Sequence, residues 1–253
     1  MGGIKIGVTI PVLNNFKGAI ETLHSIKSQN QYDIIWNIID QWRYNRPLAK
    51  AWNIGTEELF EKGCDYALIS NDDVIYAPKS IDHLVQELLE PRDPKIILAS
   101  SINRLSEMVQ PEDILNYEDT FDNSSIADGP CYSHFMIGKD FFDKVGTFDE
   151  NFAPAYWEDN DSHYRIHLLG YRAITTTASS VAHIAGSSSG IMTLDSVTYY
   201  GLKWGSYTRS LNEMYKTPYN NPNLTPRDWV PKENLTYSDG KPVQWLNNKN
   251  IQN

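Results

Sequence analysis

Asp65-Tyr66-Ala67-Leu68-Ile69-Ser70-Asn71-Asp72-Asp73-Val74-Ile75-Tyr76-Ala77-Pro78 runs from an apolar, strand-like segment into an amide and two carboxylates, and then out into apolar residues again. A strand that ends by gathering acids has two readings. Asx residues initiate turns and cap helices, so the triplet can be an acidic turn before the helix that begins near Ser80. The same oxygens can also hold a cation. The triplet alone does not decide between them.

Working outward, Ile4–Ile10 is a first strand that Pro11 and Asn14-Asn15 stop, and Ile20, Leu23 and Ile26 recur at helical spacing over 16–29. Ile34–Ile39 is a second strand ending at Asp40, and Leu48–Lys62 reads as a helix closed by Gly63. Tyr66–Ser70, a helix over Ser80–Glu90 and a strand over Lys95–Ser100 continue the alternation. The pattern predicts βαβ units and a mostly parallel sheet flanked by helices. Regular structure resumes with Tyr132–Ile137 and Lys139–Val145. A helix then runs from Glu158 to Leu169, and Ala173–Thr177 and Val181–Ile184 read as two strands. The polar stretch 101–130 has the length of a lid or acceptor loop. Residues 1–200 are expected to form the main domain, and 201–253, rich in Pro, Asn, Trp and Tyr, an irregular arm that packs on the core or contributes to acceptor binding. In doubly wound sheets ligands bind beyond the carboxyl ends of the strands, which puts Asp40 and Asn71-Asp72-Asp73 along one edge.

The 253 residues carry a formal net charge of −10, with 41% hydrophobic and 12% aromatic residues. Such acidity opposes general polyanion binding, although residues 201–253 hold seven Lys/Arg against four acids. Cys64 and Cys131 lack paired spacing and fit a reducing compartment. The apolar run Ile4–Leu13 is broken by Pro11 and is too short for a membrane span or signal peptide. Met1-Gly2 is followed by Ile6 where myristoylation wants Ser or Thr. The expectation is a soluble cytoplasmic protein.

Two further segments bear chemistry. Asp149, Glu150, Glu158, Asp159 and Asp161 stand among Phe148, Phe152, Tyr156 and Trp157. Asp149 is placed to order a turn after Gly146, and the acids at 158–159 suit a helix N-terminus. Neighbouring acids are also tolerated where a cation or basic group is present. His183 ends an apolar strand before Gly186-Ser187-Ser188-Ser189-Gly190, a loop rich in donors for phosphate oxygens. By itself the histidine reads equally as an ordinary hydrogen-bonded residue.

In order along residues 4–190, these pieces resemble the inverting GT-A glycosyltransferases that use nucleotide sugars, glycosyltransferase family 2 above all. Thr9–Asn14 is similar to that family's opening strand, and Arg46–Gly55 to its segment ending Asn-x-Gly. Ser70–Val74 sits where the family keeps Asp-x-Asp, and Gly146–Asp161 is similar to its "GxFDE…ED" block. The resemblance implies Asp73 and His183 as ligands of Mn²⁺ or Mg²⁺, the imidazole favouring Mn²⁺. It implies Asp159 as the base that takes the acceptor's proton. Pro11, Asn14, Asp40, Asn53, Asn71, Asp72, Ser187 and Ser188 are the implied contacts to the donor nucleotide, a UDP-sugar by preference.

Asn71 departs from the family's first motif aspartate and brings no charge to the cation. Asp40-Gln41-Trp42 also departs from its acidic, Ser-containing turn, and Trp42 suits either base stacking or core packing. A nucleotidyltransferase would need a glycine-rich loop after the first strand, where this chain has Pro11-Val12-Leu13-Asn14-Asn15. A catalytically inactive nucleotide-sugar-binding module of the same fold is the alternative. It would tolerate loss of Asp73 and Asp159. Lys203-Trp204-Gly205 and Pro218–Pro222 resemble the tails of phage-encoded relatives, whose acceptors include glycans, proteins and hydroxylated bases of phage DNA.

Overall fold

The computed structural model describes residues 3–27, 32–44, 46–122 and 124–184, together with Ser196, Tyr199, Tyr200 and Lys203. Its centre is a strand that the sequence makes apolar almost throughout: β1 (Lys5–Val12) is buried from its second residue to its last. Continuous burial marks a strand covered on both faces. β1 pairs in parallel with β2 (Asp33–Asp40) on one side and with β3 (Tyr66–Ser70) on the other. Pro11 lies inside β1 rather than ending it. The pairing with β3 stops at Thr9, so the missing N–H of Pro11 costs that ladder nothing.

Beyond β3 the sheet departs from simple βαβ order. The short β4 (Val74–Tyr76) follows β3 directly but lies at the far end of the sheet. β5 (Ile96–Asn103), β6 (Ile126–Asp128), β7 (His134–Gly138) and β8 (Arg172–His183) complete eight strands in the order β2-β1-β3-β7-β5-β8-β4, with β6 on β8. β7 is inserted antiparallel between β3 and β5, and β4 and β6 also run antiparallel to β8. The other five strands share one direction, so the sheet is mostly parallel. The two strands expected at 173–177 and 181–184 are the two ends of β8. Its register against β5 shifts between Ser101 and Ile102, and the small polar run Thr177–Ser180 spans that irregularity.

Helices cover both faces. α1 (Phe16–Lys27) and α4 (Ser80–Leu89) pack over a cluster including Ile10, Leu68, Tyr76, Met136 and Ile174. After the short α2 (Gln41–Tyr44), α3 (Leu48–Glu61) lies on the opposite face with α5 (Phe141–Val145) and α6 (Glu158–Leu168). There Trp52, Ala67, Ile69, Phe135, Ile137 and Phe148 form a second cluster. Leu68 faces one cluster and its neighbours Ala67 and Ile69 the other, the period-two signature of a strand buried on both sides.

α1 buries small and polar residues as well as Ile26, while Ile20 of its expected apolar stripe is 54% exposed. Thr22 Oγ1 and Ser25 Oγ accept hydrogen bonds from the Val74 and Tyr76 amides, so this helix satisfies the backbone of edge strand β4. The expected long loop 101–130 contains two 3-10 turns, and Ile114 of the second is buried with Ile75, Ala77 and Ala182. No helix among the described residues is long and apolar enough to cross a membrane.

Candidate active site at the carboxyl edge

The triplet is a turn held in place from both sides. Asn71, Asp72 and Asp73 bridge β3 and β4, and the Asn71 amide donates to the Ser133 carbonyl at 2.7 Å. Asn15 caps α1 by accepting from the Gly18 amide, and its Nδ2 donates to the Asp72 carbonyl at 2.9 Å. Gly18 is required there, because a Cβ would come within 2.2 Å of that same carbonyl oxygen. On the other side of the turn, β4 pairs Val74 with His183, and the Ile184 amide donates to the Asp73 carbonyl at 2.9 Å. The pairing brings His183 Nε2 to 3.2 Å from Asp73 Oδ1. The two residues that resemblance marked as ligands are thus neighbours, although one follows β3 and the other ends β8.

Asp72 and Asp73 are both 8% exposed. Burial and the adjoining Asp73 charge push Asp72 up to about 6. Burial works against the charged form of His183, but the hydrogen bond and charge of Asp73, with Cys131, outweigh it and raise the imidazole above its ordinary range. A carboxylate oxygen and an imidazole nitrogen this close fit as adjacent ligands of one divalent cation, whose bonds run at about 2.0–2.2 Å.

Sequence reasoning missed Cys131 and His134, which stand at the same corner. β7 begins opposite Ser70, so its first residue, His134, reaches the end of β3. Burial opposes ionisation of the Cys131 thiol, yet the His134 imidazole and polar groups of Ser133 bring it down to about 6. The Cys-x-x-His spacing was the available signal, obscured by reading the cysteines only as disulfide partners.

The acidic block sits across this edge. α6 leads into β8 and runs opposite to it, so its N-terminus returns to the carboxyl side of the sheet. Tyr156 and Trp157 take φ of 74° and 75° immediately before α6. Two successive non-glycine residues in the left-handed region cost roughly 1–2 kcal/mol each. They are held by the Trp157–Tyr200 ring contact at 4.9 Å and by the Pro154 carbonyl, which accepts from the first amide of α3.

Asp159, in the first turn of α6, has Oδ1 fixed by the Asn160 backbone amide at 2.7 Å and side-chain amide at 3.1 Å. Burial raises its pKa despite these bonds, which makes it a stronger base than an ordinary aspartate. Burial, Asp159 and Asp161 push neighbouring Glu158 up to about 8, so it is largely protonated at neutral pH. That removes one charge from beside Asp159.

The basic group that the remaining acids require comes from the chain itself. Lys203 Nζ lies 2.6 Å from Asp149 Oδ2 and 2.7 Å from Asp161 Oδ1, with its side chain 3% exposed. Arg165 holds the other oxygen of Asp161 at 3.0 Å and donates to the Val145 carbonyl. Asp149 also accepts from Tyr199 Oη and orders the turn at Asn151, as its position after Gly146 predicted. Although it is buried, Lys203 and Tyr199 bring its carboxyl down to about 2. Lys203 is the one described residue of the expected arm.

The other expected nucleotide contacts divide. Pro11 at the end of β1 and Asp40 at the end of β2 lie on neighbouring strands at this edge, and Asn14 is exposed beside them. Asp40 caps α2 through the Arg43 amide at 3.0 Å. Asn53 does not fit its expected role. Its Nδ2 donates to the Phe148 carbonyl and to Glu150, and its Oδ1 accepts from the Phe148 amide, so a buried side chain is spent fastening α3 to the acidic block. Gly55 of the same segment is required by packing, since a Cβ there would meet Thr9 Oγ1 at 2.0 Å. Ser187 and Ser188 lie outside the described residues, as does the side chain of Trp42.

Metal-competent residues thus stand at the carboxyl edge of the sheet, and a buried acid opens the facing helix. No family model and no curated protein matches the chain. Among solved structures, GalNAc-T7 with UDP, GalNAc and Mn²⁺ is similar at a TM-score of 0.61 and 15% identity, over 87% of this chain and 52% of that one. Two more are TarS of S. aureus (TM-score 0.49, 11% identity, 71% and 60% covered) and a Drosophila β1,4-galactosyltransferase 7 mutant with manganese, UDP-Gal and xylobiose (0.47, 13%, 73% and 72%). The first of these assigns the fold, which is GT-A; the chain spans about half of that protein's length.

Proposed function

We propose that the chain is a nucleotide-sugar-dependent glycosyltransferase that inverts the anomeric centre, acting in the manner of family 2. The observation that supports this best is the Asp73–His183 pair at one end of the carboxyl edge, with the buried, raised-pKa Asp159 at the N-terminus of α6.

Asp73 and His183 would hold a divalent cation, Mn²⁺ or Mg²⁺, which when bound neutralises charge on the departing diphosphate. UDP is the preferred nucleotide, because GalNAc-T7, similar in fold, is described with UDP. Pro11, Asn14 and Asp40 line the strand ends where the nucleoside would lie. Asp72, pushed up to about 6, is mostly ionised at pH 7 and takes up its proton only as pH falls below about 6, where it can donate a hydrogen bond to the donor.

Asp159 takes the proton of the acceptor hydroxyl as that oxygen attacks the face of the sugar opposite the nucleotide. The carboxylate is oriented before the reaction by Asn160, and burial has already stripped much of its water, so it need not reorganise during transfer. Protonated Glu158 spares it a second anionic neighbour.

The test is a panel of sugar nucleotides assayed for thermal stabilisation with and without Mn²⁺. One nucleotide family should stabilise the protein only with metal, and Asp73→Ala should abolish the effect. If Asp73→Ala responds as wild type does, the proposed site is wrong.

A further inference from the structure

The carboxyl edge contains a donor set of which the proposed transfer chemistry uses only His183. Cys131, His134 and His183 each present a ligand atom, one sulfur and two imidazole nitrogens, all within 4.8 Å of one another. The three come from elements fixed by the sheet. The Cys131 amide donates to Ser100 Oγ at 2.8 Å, His134 opens β7 opposite Ser70, and the His183 amide donates to Asn103 Oδ1 at 3.1 Å.

His134 gives the second, independent observation. Its ring is fully buried, and Nε2 lies 3.0 Å from the Ser101 carbonyl oxygen. A carbonyl can only accept, so Nε2 carries the proton and Nδ1 carries the lone pair. Nδ1 is buried and meets no donor at full hydrogen-bonding geometry among the described residues; the polar side chain that this ring acts on is the Cys131 thiol. An imidazole that donates one ring N–H to a backbone carbonyl and turns a bare nitrogen inward has the orientation that metal-ligating histidines take.

Two imidazoles and a thiolate form a soft set that suits a four-coordinate ion and not the oxygen-seeking Mg²⁺ or Mn²⁺. We propose that Cys131, His134 and His183 form a zinc-binding site. The site needs no sugar nucleotide and stands apart from the transferase reading. One consequence does rest on that reading: His183 belongs to both donor sets, so zinc and the Asp73-held cation exclude one another, and zinc inhibits.

Co²⁺ serves as the probe, because a thiolate bound to Co²⁺ gives a charge-transfer band that oxygen and nitrogen ligands do not. The chelator-treated full chain should bind one Co²⁺ with this band, and stoichiometric Zn²⁺ should remove it. Cys131→Ser should lose the band while Cys64→Ser, changed at the opposite end of β3, keeps it. His134→Gln should weaken Zn²⁺ binding at least tenfold, on the order of losing one ligand's support. Asp73→Ala should keep the band, which separates this result from any failure of the transferase assay. Far-UV circular dichroism of each metal-free variant checks that it folds. A wild-type protein without the thiolate band, or a band that survives in folded Cys131→Ser, overturns the proposal.

Discussion

His183 Nε2 stands 3.2 Å from Asp73 Oδ1 because β4 turns back from the end of β3 and pairs antiparallel with the end of β8. Neither residue reaches the other without that pairing. His183→Ala should therefore reduce metal-dependent nucleotide binding by about 10–100-fold while leaving the fold intact. Isothermal titration with Mn²⁺ and the stabilising nucleotide measures it.

Asp159→Asn should retain donor binding and lower turnover by about 10²–10⁴-fold, the range that a positioned base contributes. The split is the informative part. Equal losses in binding and turnover would indicate that Asp159 holds the donor instead.

Lys203 joins Asp149 and Asp161 inside the protein. Replacing it with Met leaves buried Asp149 without its cation, while Asp161 keeps Arg165, and should cost about 3–5 kcal/mol. Denaturant unfolding of Lys203→Met against wild type gives the number. A change under about 1 kcal/mol, the range of exposed pairs, would mean that the pair is solvated.

Glu158 binds its proton more tightly folded than unfolded, rising from 4.5 to about 8. Between those values the native state holds the extra proton, so stability falls as pH rises through the window. Glu158→Gln should flatten this slope and stabilise the protein at pH 8 by on the order of 3 kcal/mol. Thermal midpoints of both proteins across pH 5 to 8 test the sign.

Asn53→Ala distinguishes a fastener from a nucleotide contact. Losing its bonds to Phe148 and Glu150 should destabilise the protein by about 2–3 kcal/mol and leave nucleotide affinity within twofold of wild type. A large affinity loss with unchanged stability would restore the nucleotide role.

The parallel half of the fold was legible because β1, β2 and β3 are apolar runs that give way to Asx residues and are separated by helical spacing. The antiparallel insertions were less so. β4 is three residues long, and β7 has the same composition whichever way it runs. β8 looked like two strands because its irregular middle, Thr177–Ser180, breaks the apolar pattern. At the site, Asp73, Asp159 and His183 stood out through motif order. Cys131, His134 and Asn15 did not, because their roles arise from the start of β7 meeting Ser70 and from α1 meeting Asp72. Lys203 was hidden for the same reason: its partners are remote in sequence, and the surplus of acids at 149–161 signalled only that some cation was needed.

The most direct test of transfer chemistry at this edge is a proton NMR record of sugar released from the stabilising sugar nucleotide in the presence of Mn²⁺. The account predicts slow, metal-dependent release whose first-formed anomer is opposite to that of the donor, lost in Asp73→Ala and in Asp159→Asn. Release of the same anomer as the donor, or release undiminished in both variants, would contradict it.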